Sequence, residues 1–134
     1  MSLRIVSVLD PGQPNLERLH LEAQSAFSLS YFVVLRSAYI SPIAIMKGGI
    51  DAFWFPDVRV ETGHQIVLYT RPGQYSLEGP LKNIRYFSWG LKQTIWNSPN
   101  ACAVLVQVSG WQTTVQGLVP LTTAQKLYGG THNK

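Results

Sequence analysis

A chain of 134 residues with 46% hydrophobic residues is long enough to bury a core of its own and short enough to form one domain. Charged residues make up 13%, about half the usual share of ~25%, so Gln, Ser, Thr, Asn and Gly must build much of the surface and copies of the chain repel one another weakly. The formal charge is +4, but the eleven Lys and Arg are scattered without a run, which argues against a basic tract for nucleic acid or an anionic surface.

Residues 3–9 alternate as a first strand, with Leu3, Ile5 and Ser7 on one face and Arg4, Val6 and Val8 on the other. Asp10-Pro11-Gly12-Gln13-Pro14-Asn15 ends it with dense turn chemistry. Leu19, Leu21 and Ala23 then alternate with Arg18, His20, Glu22 and Gln24, the pattern of a half-buried strand. A helix over 16–27 is the competing reading; the alternation and the Ser-rich turn after it favour the strand. Residues 31–35 are aromatic and β-branched, a further strand. Ile40, Ile43 and Ile45 suggest another, with Pro42 placing it at an edge or a strand start, and Lys47-Gly48-Gly49 reads as a hairpin turn.

The stretch from Phe53 to Thr70 organises the chain as strand, turn, short strand, turn, strand. Pro56 ends the first run, Asp57 fixes the bend through a local hydrogen bond, and Gly63 is free to turn with positive φ. Residues 75–83 read as a loop, 85–89 as extended, 96–100 as a turn, and 101–108 as the most apolar strand. Ser109-Gly110 should turn that strand into 111–119, and the tail from Leu121 looks frayed. Phe55, Leu68, Trp96 and Leu105 are expected in the core.

Many short strands with turn signals between them and no convincing helix predict an all-β fold, an antiparallel β-sandwich, over residues 1–120, followed by a tail at 121–134. The single cysteine, Cys102, excludes an intramolecular disulfide and sits in an apolar run, so a buried thiol is expected. Met1 to Asp10 carries no apolar core of a signal peptide, and no run approaches the ~18 apolar residues of a membrane span, so a soluble, cytoplasmic chain without a membrane partner is expected.

Several fixed points occur in order: Asn15-Leu16-Glu17, Tyr31-Phe32, Phe55-Pro56-Asp57, Gly63 before Ile66-Val67-Leu68-Tyr69-Thr70, Trp89-Gly90-Leu91, Ile95-Trp96-Asn97, and an apolar strand ending at Gly110. Together they resemble the lamin-tail domain over roughly residues 3–117. The resemblance implies an immunoglobulin-like β-sandwich. It also implies a docking surface for proteins and, weakly, for DNA, with no catalytic residues to carry over.

The residues themselves point away from catalysis. His20, His64 and His132 are widely separated and form no zinc-ligand pair. Glu17 and Glu22 are expected to face water. Asp51, Asp57 and Glu61 could approach one another as calcium ligands, but without EF-hand spacing turn-forming roles are the simpler reading. Phosphate-loop, dinucleotide and Gly-x-Ser-x-Gly motifs are absent, so neither an enzyme nor a cofactor or metal site is expected. Arg85, Tyr86, Phe87 and Trp89 are split across two faces by alternation, so they predict no stacking platform.

Trp54 alternates with Phe53 and Phe55 and must point to the opposite face. It is the candidate contact residue, with Arg59 a possible flank; a core role for Trp54, through a bulge or a covering loop, is the competing reading. The expected function is a non-enzymatic protein-interaction or structural module, self-associating or part of a larger assembly. Weak binding of nucleic acid or an anionic surface is the alternative.

Overall fold

The computed structural model describes residues 1–41, 44–45, 51–79 and 82–115. In chain order its strands are β1 (Leu3–Leu9), β2 (Arg18–Ala23), β3 (Phe27–Ser28), β4 (Phe32–Ser41), β5 (Ala44–Ile45), β6 (Ala52–Trp54), β7 (Arg59–Val60), β8 (Gln65–Tyr69), β9 (Ser76–Glu78), β10 (Ile84–Ser88) and β11 (Ala101–Gln107). A 3₁₀ turn at Leu29–Tyr31 joins β3 to β4. The expected hairpin at Lys47-Gly48-Gly49, with Pro42 and Ile43, lies outside the described residues. So do 116–119 of the expected last strand, the tail and His132.

The strands form an all-β sandwich. One sheet has the order β1-β2-β8-β10-β9, the other β11-β4-β5 with β6 also on β4, and β3 and β7 form a small ribbon. Alternation dictates what each strand buries. β2 buries Leu19, Leu21 and Ala23 and turns Arg18, His20 and Glu22 outward; β8 buries Ile66 and Leu68. From the other sheet Phe32 and Val34 meet them, with Phe55, Val60, Phe87 and Trp96 completing the core. No helix among the described residues is long and apolar enough to cross a membrane.

Several expectations need correcting. β10 runs parallel to β8, from Ile84↔Gln65 to Ser88↔Tyr69, so the first sheet is mixed. A parallel neighbour needs a crossover. Residues 70–83 supply it, and within them β9 pairs with the far side of β10, where a plain loop was expected. A bulge between Ile5 and Ser7 shifts the register of β1. Val8 therefore joins Leu3 and Ile5 against the core and is not on the face of Arg4. Ile40 belongs to the long β4. Residues 111–115 form no strand.

Two burial expectations also change. Phe55, Leu68 and Trp96 are core, but Leu105 is only half-buried against it. Cys102 is likewise half-buried. Both lie on β11, an edge strand of its sheet among the described residues, and an edge strand is covered on fewer sides than a central one.

Candidate functional site

β6 places Phe53 toward the interior and Trp54 away from it. Phe53 packs edge-on to Phe55 at 5.1 Å and also meets Phe87 and Trp89, at 6.4 and 5.9 Å between ring centroids. Trp54 is 46% exposed. Its ring is nevertheless held: the indole N–H donates to the Ser30 carbonyl at 2.7 Å, and the Trp111 ring stands edge-on to it at 5.4 Å. Trp111 is itself exposed. An anchored, half-exposed indole is a preorganised contact group, because little side-chain entropy remains to be lost on binding.

Trp54 also forms one wall of a cleft of about 510 Å³, with Phe53, Pro56, Phe87, Ser88 and the segment Gly73-Gln74-Tyr75. Tyr75 closes the far wall, its ring 5.0 Å from that of Phe87 and its hydroxyl accepting from Arg85 Nη1 at 3.2 Å. The loop passes close to β10 at Gly73. A Cβ there would lie 2.5 Å from Ser88 Oγ and 3.0 Å from Arg71 Nη1. The lining is aromatic with neutral polar groups at Gln74 and Ser88, and among the described residues it holds no charged side chain. That is the make-up of a recognition cleft: apolar walls with a few polar groups to set orientation.

Arg59 does not line this cleft. It is exposed on β7, its Nε 3.6 Å from Glu61 Oε2. It is linked to the site indirectly, through Arg85, which donates to the Arg59 carbonyl at 3.2 Å and to Tyr75. The turn at Pro56-Asp57 turns the chain away, and Ser28 Oγ fixes that turn by donating to Asp57 Oδ1 at 2.6 Å.

The acidic residues divide differently from expectation. Glu17 does not face water; it is 1% exposed. Its Oε1 accepts from Thr70 Oγ1 at 2.7 Å and Ile95 N at 2.8 Å, and its Oε2 from Gly12 N at 2.8 Å and Trp96 N at 3.1 Å. A carboxylate offers about four acceptor positions, and all are filled, so Glu17 is a structural hub with no capacity left for chemistry. The signal for this lay in the sequence: Glu17 shares the parity of Leu19, Leu21 and Ala23, the buried face of β2. Glu22 does lie on the outer face, in a ladder where Arg4 Nη2 donates to it at 2.7 Å and Gln65 Nε2 at 3.1 Å. These bonds, led by the one from Gln65, hold its carboxyl below the usual range.

Other weighed residues take local roles. His20 pairs with Gln65, and His64 Nδ1 accepts from the Glu61 amide at 3.2 Å within its turn. Asp51, Asp57 and Glu61 do not converge: no group of three His, Cys, Asp or Glu side chains able to hold a metal occurs among the described residues.

One further cluster was not foreseen. On the outer face of the first sheet, Tyr69 and Tyr86 lie side by side, 6.4 Å apart and 28° from parallel. The Arg71 guanidinium sits 4.3 Å from the Tyr69 ring centroid and that of Arg18 6.0 Å. The parallel pairing of β8 with β10 creates this neighbourhood, and strand direction cannot be read from local alternation. Compared with known families and curated proteins, the sequence matches no family model and no curated protein.

Proposed function

We propose that this chain is a non-enzymatic interaction module that presents the Trp54 cleft to a protein, in self-association or as part of a larger assembly. The observation that carries the reading is the anchored, half-exposed Trp54 forming the wall of a neutral aromatic cleft. Trp is enriched at the energetic centres of interfaces, and rigid anchors bind at low entropic cost. The low charge of the chain and the resemblance to the lamin-tail domain, a docking module, support the same reading; the resemblance does so by analogy alone. Trp54→Ala should leave the circular dichroism spectrum nearly intact and weaken partner binding by more than ~1 kcal/mol. Quantitative affinity capture with both proteins tests this. A folded variant that retains every partner at full strength refutes it, and an unfolded variant makes Trp54 a core residue instead.

A second reading, weak binding of single-stranded nucleic acid or an anionic surface, rests on the Tyr69–Tyr86 pair flanked by Arg18 and Arg71. Aromatic faces with adjacent guanidinium groups suit stacked bases. Such binding must weaken steeply with added salt and fall with Tyr86→Ala. Salt-independent binding, or none, removes this reading and leaves the first untouched.

A further inference from the structure

We propose that β11 is a dimerisation edge, pairing antiparallel with β11 of a second copy of this chain about a two-fold axis at Val104. The proposal goes beyond the reading above: it places self-association on a second surface, across β4 from the β6 strand that carries Trp54.

Open strand edges invite added strands, and proteins protect them with charge, proline, bulges or short length. Among the described residues the other edges are protected in these ways. β1 carries Arg4 and a bulge between Ile5 and Ser7. β9 has three residues, one of them Glu78, and β6 also has three. β11 has seven residues, Ala-Cys-Ala-Val-Leu-Val-Gln, with no charge, no proline and an unbroken register against β4. Among the described residues, the chain leaving β11 does not cover its open side. Val108 N donates to the Tyr31 carbonyl at 2.7 Å, and Trp111 packs on Trp54 of β6, which lies on the opposite side of β4 from β11.

The register follows from the ladder. Tyr39 N donates to the Asn100 carbonyl at 3.1 Å and Val108 N to that of Tyr31, so the even-numbered residues of β11 direct their backbone polar groups at β4. Ala103, Leu105 and Gln107 therefore direct theirs outward. With an axis at Val104, the middle residue of the strand, Ala103 of one copy exchanges both backbone hydrogen bonds with Leu105 of the other, and the reverse. The whole strand is then paired. Val104 meets its own copy as a non-hydrogen-bonded pair, with Cα atoms ~4.5 Å apart. Charge favours a second copy as the occupant: two uncharged strands meet across the axis without repulsion, and such an interface is self-complementary.

Sedimentation equilibrium over a concentration series should show a monomer–dimer equilibrium for the full chain. Val104→Lys sets like charges opposite each other and should raise the dimer dissociation constant at least ~10-fold. In a Cys102→Ser background, Val104→Cys should form a covalent dimer under mild oxidation, because a ~4.5 Å Cα separation accommodates a disulfide. A chain that stays monomeric overturns the proposal. So does a dimer that forms no crosslink through Val104→Cys, which remains decisive if the Lys variant fails to fold. The two readings fail separately: loss of the dimer with Trp54→Ala but not with Val104→Lys would place self-association at the cleft and overturn the β11 pairing, whereas a Trp54→Ala chain that keeps every partner at full strength refutes the cleft and leaves the β11 pairing standing.

Discussion

Glu17→Gln is the most direct test of how the sandwich is tied together. The substitution keeps size and shape but replaces one acceptor oxygen by a donor. In one orientation the new amide faces Gly12 N and Trp96 N, two backbone donors. In the other it faces Ile95 N and Thr70 Oγ1; the hydroxyl can rotate to accept, but the Ile95 amide is left without a partner. At least one buried N–H is stranded either way, at about 1–3 kcal/mol. The surviving bonds also lose their charge-assisted strength. A total loss of about 2–4 kcal/mol is expected, a large fraction of the 5–15 kcal/mol that holds a typical domain. Urea unfolding measures it, and amide hydrogen exchange at Ile95 and Trp96 should accelerate in parallel. A loss below about half a kcal/mol, or unchanged exchange at both amides, would show that the bonds from Ile95 N and Trp96 N to Glu17 do not fasten the 95–96 segment to the chain entering β2.

Two further outcomes follow from other parts of the molecule. The Glu22 carboxyl is held low by Gln65 and Arg4, so its contribution to stability is present above the unfolded value near 4.5 and is lost as pH falls through the lower folded value. Glu22→Gln should therefore flatten the fall in melting temperature on acidification below about pH 4.5; an unchanged acid limb would remove this linkage. Gly73→Ala pushes a methyl group against the Ser88 hydroxyl and should cost up to about 1 kcal/mol by overpacking, with Ser88→Ala, which removes that hydroxyl, relieving it. A Gly73→Ala cost that Ser88→Ala leaves unchanged would mean that the loop does not meet β10 at Ser88 as described.

What the sequence by itself determined was the set of strands and which way most side chains face. Period-two alternation placed Leu19 and Leu21 inside and Trp54 on the side opposite Phe55, because facing along a strand is a local property of the backbone. The same rule, followed back from Ala23, already placed Glu17 on the buried face. A carboxylate is assigned to water until its partners are known, and those partners lie at Gly12, Thr70, Ile95 and Trp96, up to 79 positions along the chain. Only the tertiary structure decided what covers each face. It laid Gly73-Gln74-Tyr75 beside β6 to make a cleft, turned β10 parallel to β8 to bring Tyr86 to Tyr69, and left β11 at an edge among the described residues, so that Leu105 and Cys102 are half-covered rather than enclosed. Hydrophobic pattern records the demand for burial; strand order, direction and hydrogen-bond partners record how distant segments meet that demand together, and a local period carries no trace of them.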